Sequence, residues 1–335
     1  MSSGQEDTTP RVLITGVNGF VGSHLADLFA ESGYRVTGML RKTSSRKFID
    51  KLDIDLKFAD VTDRDSLPDA VAGHQYVIHP AGLIQAKSLE EFMSVNCDGT
   101  RNLLEAVANN CTHLKRFVYI SSQAAAGPSN SREPINEDVP PHPVSDYGKS
   151  KLAGENECHK FSDRLPITIL RPPAVYGPRD NGVLAFFKLV KSGWYWKLGR
   201  VEPYASIVHA CDLARAVKLA AESLKAAGET FFVANRNTPS IWEMQKTIAE
   251  VMGVPVKPLF TPIWLAKAIV PFAKIAGSIV NKPPGLTGDK LRELAERYWI
   301  CDSSKAERLF GWKAEIPIEL GLRSTADWYL ENRWL

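Results

Sequence analysis

At 335 residues, with 44% hydrophobic and 24% charged side chains, the chain has the composition of a folded globular protein and the length of one large or two associated domains. A formal net charge of only +3, with Lys and Arg spread along the chain, argues against nucleic acid as a partner. Five cysteines (Cys97, Cys111, Cys158, Cys211 and Cys301) form an odd set without C-x-x-C spacing, which disfavours a disulfide framework or zinc knuckle and points to a reducing compartment.

Residues 1–9 are small or polar and lack the apolar core of a signal peptide, so they read as a disordered tail on a cytoplasmic protein. Short β-branched runs then alternate with amphipathic stretches. Strands are predicted at 11–15, 34–40, 54–59, 75–79 and 115–121, with helices over 20–32, 66–72 and 88–109. A helix near Tyr147 and a strand at 165–170 continue the series. This βαβ alternation predicts an α/β fold with a doubly wound parallel sheet.

After Arg171 the character changes. Pro172, Pro173 and Pro178, the aromatic run Trp194, Tyr195 and Trp196, and a helical pattern from Ser240 onward mark a smaller, mostly helical substrate lobe. The predicted division is a nucleotide-binding domain over 10–175, to which 205–235 returns, and a substrate lobe from 176–204 and 236–335. The apolar stretch 259–280 is interrupted by Pro262, Lys267, Pro271 and Lys274, whereas a membrane-spanning helix needs roughly 20 unbroken apolar residues. No transmembrane segment is expected.

Gly16, Gly19 and Gly22 follow the first predicted strand and open the first helix, where a dinucleotide fingerprint is required to sit. Gly16 permits a tight turn, Gly19 lets backbone approach a pyrophosphate, and Gly22 lets helix and strand pack closely. Phe20 and Val21 supply amides at the helix start, where the dipole favours an anion. The second strand ends in Arg41 instead of the acidic residue that accepts the ribose hydroxyls of NAD. A guanidinium fork suits a 2′-phosphate, so NADP(H) is expected over NAD(H).

Tyr147 and Lys151 stand at i and i+4, on one face of a predicted helix. A phenol ordinarily titrates near 10, and a neighbouring ammonium and a nearby oxidised nicotinamide are both expected to pull that value down and make Tyr147 a proton-transfer group. Ser122, at the carboxyl end of a strand, is the candidate donor to a substrate oxygen, with Ser121 its competitor.

With these features in place, the chain resembles the extended short-chain dehydrogenase/reductase family, the NAD-dependent epimerase/dehydratase superfamily. The likeness extends through Asp60-Val61, His79-Pro80-Ala81-Gly82, the N-C-D-G-T-R-N-L-L-E run from Asn96, R-P-P-A-V-Y-G from Arg171 and I-V-H-A-C-D-L from Ile207. The resemblance implies a Rossmann domain in which Asp60 and Val61 contact adenine, Ala81 and Gly82 the central cofactor, and Pro172 and Val175 the nicotinamide. It makes Ser122, Tyr147 and Lys151 the catalytic triad, Lys151 also binding cofactor, and gives Asn96 a structural part.

Within the family, dehydratases carry an Asp-Glu pair where this chain has Gln123-Ala124, and many nucleotide-sugar enzymes carry an Arg where it has Ala205. The segment 121–128 is similar to that of 3β-hydroxysteroid dehydrogenases and dihydroflavonol reductase-like members. These departures imply an NAD(P)(H)-dependent oxidoreductase interconverting a ketone and a secondary alcohol on a fairly apolar, steroid-like or β-keto acyl substrate. Two alternatives stay open: a nucleotide-sugar epimerase with tightly bound NAD, and a non-catalytic dinucleotide-binding sensor or scaffold. Trp194–Trp196 and 263–280 offer a lid, core packing or a peripheral membrane contact, and family habit leaves a homodimer open. The seven histidines show no ligand spacing, so no metal is expected, and Arg179 is a candidate for an anionic substrate group.

Overall fold

The computed structural model describes residues 9–265, 268 and 288–335. Most of the predicted tail and most of 263–280, with the lid or membrane contact read there, lie outside the described residues. In the amino-terminal half, strands β1 (Arg11–Thr15), β2 (Arg35–Leu40), β3 (Asp55–Phe58), β4 (Tyr76–His79), β5 (Arg116–Ile120) and β6 (Ile167–Arg171) appear where alternation predicts them, a residue shorter at several ends. They are followed by β7 (Ala174–Tyr176), β8 (Trp194–Leu198), β9 (Tyr204–Ala205), β10 (Ile207–His209), β11 (Thr230–Phe232), β12 (Lys257–Thr261) and β13 (Tyr298–Trp299).

One seven-stranded sheet runs β11-β6-β5-β4-β1-β2-β3 with every neighbouring pair parallel. The order reverses between β1 and β4, which opens a crevice at the carboxyl ends of those strands. The remaining strands pair in parallel twos, β7 with β10, β8 with β12 and β9 with β13.

The helices in chain order are α1 (Phe20–Glu31), α2 (Pro68–Val71), α3 (Leu89–Met93), α4 (Gly99–Asn110), α5 (Gln123–Ala126) and α6 (Asp146–Lys160). They continue with α7 (Leu184–Lys191), α8 (Ala210–Glu222), α9 (Ile241–Met252), α10 (Gly288–Ala295), α11 (Ser304–Phe310) and α12 (Ile318–Glu331). Side chains alternate across the sheet, as a period of two demands. Val12 and Ile14 pack with Leu25, Phe29, Leu213, Val217 and Trp312 on one face. Leu13 packs with Val77, Leu103, Leu104, Phe117 and Tyr119 on the other. A separate core joins Tyr176, Phe187, Ile248, Leu322 and Tyr329.

The single helix expected over 88–109 is instead interrupted. A π-helical turn, Ser94–Asp98, separates α3 from α4. Such a turn admits an extra residue and shifts the register of the face that follows it, and these turns concentrate at functional sites. Here it seats Asn96 against α6, where Gly154 allows the approach: a Cβ at Gly154 would lie 2.6 Å from the Asn96 carbonyl oxygen and collide with the Tyr119 hydroxyl.

Replacing a helix-interior Gly by Ala ordinarily stabilises by about 1 kcal/mol. Gly154→Ala should do the reverse and cost roughly 1–3 kcal/mol through overpacking, read as a lower urea midpoint at unchanged m-value.

Candidate active site

The glycine turn has the clearance that a phosphate cradle requires. Gly16 takes φ +58° and lies against Ala81, and a Cβ on Gly22 would collide with the Gly16 carbonyl oxygen. Only glycine meets both demands. The α1 amino terminus carries neither an acidic residue in its first turn nor a side-chain cap on its N–H groups. Free amides and a positive dipole end are what a pyrophosphate needs, so the residues present fit a bound dinucleotide.

Arg41, Asp60, Ala81 and Pro172 follow the carboxyl ends of β2, β3, β4 and β6. Ala81 donates its N–H to Thr15 Oγ1 at 3.3 Å, and Lys151 Nζ comes within 3.8 Å of where a Cβ on Gly82 would stand. Arg41 is exposed directly after β2, and it makes no ion pair among the described residues. Asp60 Oδ1 accepts from the Thr62 N–H and hydroxyl, both at 2.9 Å, while Val61 is buried and its carbonyl accepts from Asn102 at 3.0 Å. The Pro172 carbonyl accepts from the Gln123 N–H at 2.8 Å, and Val175 lies in β7 opposite Val208.

Tyr147 and Lys151 are both on α6, one turn apart. Ser122 Oγ caps α5 by accepting from the Ala124 N–H at 3.1 Å. Burial pushes the Tyr147 phenol up to about 12; the nearby Ser122 hydroxyl opposes this and the charge of Glu293 adds to it. The expected lowering by Lys151 is therefore not observed. Its ammonium points elsewhere, donating to the Ile120 carbonyl at 2.7 Å and lying 4.3 Å from the centre of the Tyr119 ring. Burial pulls Lys151 down to about 8, against the raising influence of Glu155.

Ser121 and Ser122 have different partners. Ser121 Oγ donates to Glu155 Oε1 at 2.5 Å, and Arg171 grips the same carboxylate through Nε and Nη2 at 2.9 and 2.6 Å. Glu155 is 1% and Arg171 5% exposed, so this bidentate pair is enclosed in protein. Asn96 uses its whole amide: Oδ1 accepts from the Leu83 N–H, and Nδ2 donates to the Leu83 carbonyl and to Ser150 Oγ, all at 2.7–2.9 Å. It thereby pins the loop after β4 to α6. His79, fully buried between Thr15 and Thr100, is pulled down to about 3 by burial first and then by the Lys151 charge, so it stays neutral.

Sequence reasoning missed Glu155 and Arg171 as a pair. Glu155 stands four residues beyond Lys151, a spacing that reads as an ordinary surface ion pair on a helix. Arg179, a candidate for a substrate anion, instead reaches Asp27 on α1 at 2.7 Å and takes φ +73°. Of the aromatic run in β8, Tyr195 is buried, Trp194 is 41% exposed, and Trp196 donates to Thr261 Oγ1 in β12. A surface depression of about 420 Å³ lined by Tyr195, Lys246 and Glu250 shares no residue with the group around Tyr147. Among the described residues no helix is long and apolar enough to cross a membrane.

A parallel sheet with a switch-point crevice, a glycine cradle at a helix amino terminus and a tyrosine and lysine on the flanking helix define a dinucleotide-binding α/β enzyme class. The chain matches the NAD dependent epimerase/dehydratase family over residues 12–234 and belongs to it. It is 30% identical to the ceramide reductase of Caulobacter vibrioides over 328 residues, covering 97% of this chain and 96% of the reductase. It is 28% identical to a decarboxylating sterol-4-alpha-carboxylate 3-dehydrogenase of Candida albicans, covering 96% of this chain and 98% of that one. In fold it is similar to the UDP-glucose 4-epimerase of Thermotoga maritima solved with UDP-glucose, at a TM-score of 0.80 and 24% identity over 96% of this chain and 99% of that one. The family binds NAD(P), and its members are dehydrogenases and epimerases.

Leaving a buried carboxylate without its partner typically costs about 3–5 kcal/mol, whereas replacing both partners by apolar groups is close to neutral. Arg171→Met should therefore destabilise strongly in urea unfolding. Adding Glu155→Leu should recover most of the loss; no recovery would mean that the pair is not what the single variant breaks.

Proposed function

We propose that the chain is an NADP(H)-dependent oxidoreductase interconverting a ketone and a secondary alcohol on a predominantly apolar substrate. The observation that carries this reading is geometric: Tyr147 and Lys151 stand one turn apart on α6, with Lys151 tied to the Ile120 carbonyl at the end of β5 and Ser122 two residues beyond that carbonyl, and burial pushes the Tyr147 phenol up to about 12. A phenol with that value is fully protonated at neutral pH and stands ready to give its proton to an oxygen that gains negative charge.

The residues that would hold the dinucleotide are Gly16, Gly19, Phe20, Val21 and Gly22 at the pyrophosphate, and Asp60, Val61, Ala81, Gly82, Pro172 and Val175 along the rest of the crevice. When bound, the nicotinamide supplies or takes up the hydride. In the reductive direction Ser122 orients the substrate carbonyl, and Tyr147 donates its proton to the oxygen as it becomes an alkoxide. Lys151, still largely cationic at neutral pH with a value of about 8, provides positive charge beside Gly82 and holds the ribose hydroxyls.

Two departures from the family pattern support a carbonyl reductase or alcohol dehydrogenase. Gln123 and Ala124 supply no carboxylates for eliminating water, and Ala205 offers no grip on a sugar diphosphate. The names of the ceramide reductase and the sterol dehydrogenase point to lipid substrates in those relatives, which supports an apolar ketone here. The likeness in fold to a UDP-glucose 4-epimerase carries the second reading, an epimerase that oxidises and re-reduces one carbon. Cofactor that copurifies and resists dialysis would favour that alternative.

Tyr147→Phe should lower turnover by at least about 100-fold, the scale of a lost general acid, while NADPH affinity stays within a few-fold. Retained turnover in an NADPH oxidation assay over steroid, β-keto acyl, flavonoid-like and sugar-nucleotide carbonyls would refute the role of Tyr147. Loss of a guanidinium contact to a 2′-phosphate is worth about 1.5–3 kcal/mol. Arg41→Ala should accordingly weaken NADPH binding by more than tenfold and leave NADH binding unchanged; equal losses for both would remove Arg41 as the selector.

A further inference from the structure

The helix that carries Tyr147 is held at its amino terminus by a carboxylate from the far end of the chain. The first N–H groups of any helix lack partners within it and are commonly satisfied by a local side chain. In α6 the local cap, Ser145 Oγ, accepts only from the Gly148 N–H, at 3.0 Å. The Asp146 and Tyr147 amides point instead at Asp289 of α10, at 2.7 Å to Oδ1 and 3.5 Å to Oδ2. Ser145 Oγ in turn donates to Glu293 Oε1 at 2.6 Å. Asp289 and Glu293 are four residues apart on one face of α10, so a single helix face engages the whole first turn of α6.

The arrangement is built rather than incidental. Both carboxylates approach the positive end of the α6 dipole, where negative charge is stabilised. Each is also paired on its own helix, Asp289 with Arg292 at 2.7 Å and Glu293 with Lys290 at 2.9 Å, and Arg292 stands 3.9 Å from Asp146. α10 is itself anchored to the second lobe: Trp299 Nε1 donates to the Glu293 carbonyl at 2.8 Å, and β13, which holds Trp299, pairs with β9. Glu293 is close enough to add to the rise in the Tyr147 phenol.

We propose that Asp289 and Glu293 are positioning residues of the redox site, a clamp through which the second lobe sets the first turn of α6 and so the aim of Tyr147 at Ser122. This rests on the reading of Tyr147 as the proton donor. Neither carboxylate touches the reacting atoms. Their effect is on the geometry of the donor, and small misplacements of a reacting group are costly in rate.

The test is Asp289→Ala, which removes both acceptor oxygens, in the whole chain, with Glu293→Ala as a second variant should the first fail to fold. Amide hydrogen exchange of the peptide covering 145–148 should quicken about tenfold, the scale of a lost helix cap. With whichever ketone the substrate screen identifies, kcat should fall about tenfold while KM and NADPH affinity stay within twofold, and Asp289→Glu should restore most of the rate. A loss confined to thermal stability, with kcat within twofold of the parent, would overturn the clamp, as would unchanged exchange in that peptide. Tyr147→Phe is assayed beside it: turnover retained there would refute the reading of Tyr147 itself, independently of Asp289.

Discussion

One buried carboxylate holds the centre of this molecule together. Glu155 is enclosed where α6 crosses the carboxyl ends of β5 and β6, and an isolated charge in that position would cost several kcal/mol. The cost is offset only because Arg171, ending β6, grips it with two hydrogen bonds and Ser121, just beyond β5, adds a third. That requirement fixes three elements relative to one another. Ser122 follows Ser121 directly, and Lys151 and Tyr147 lie one and two turns before Glu155 on the same helix. Aligning Glu155 therefore aligns Ser122, Tyr147 and Lys151 as well.

The same enclosure sets the electrostatics. Burial moves Tyr147 up, Lys151 down and His79 far down, so a neutral phenol, a cation and a neutral imidazole share the crevice. The lowered phenol expected from the sequence rests on a nearby Lys together with a bound oxidised nicotinamide. Burial raises it instead, while the Lys151 ammonium is spent on the Ile120 carbonyl and the Tyr119 ring. Burial keeps the phenol neutral to higher pH than in water, which suits the proton-donor role proposed for it.

Much of this arrangement was legible in the chain itself, for reasons that differ by element. β1, β2, β4, β5 and β6 declared themselves by alternation because each buries residues on both faces, and Gly16 and Gly22 by spacing because no other residue clears the turn. The break in the helix over 88–109 was hidden, since a π-helical turn adds a residue without altering composition or apolar pattern. The Glu155–Arg171 pair was hidden differently: on a helix, Lys151 and Glu155 look like a solvent-facing pair, and only the fold reveals that both are buried. Asp289 and Glu293 could not be connected with Tyr147 at all, because nothing local at 145–148 announces that its amides are completed by a distant helix.

The central claim, net hydride transfer at the Tyr147 site, is tested most directly by following an isotope. NADPH deuterated at nicotinamide C4 would be incubated with the ketones of the substrate panel, and the product carbinol examined by mass spectrometry. The account predicts one deuterium at the new carbinol carbon for each NADPH consumed, with the transfer lost in Tyr147→Phe. Inversion at a sugar carbon with no NADPH consumed and no label gained would contradict it and establish epimerisation in its place.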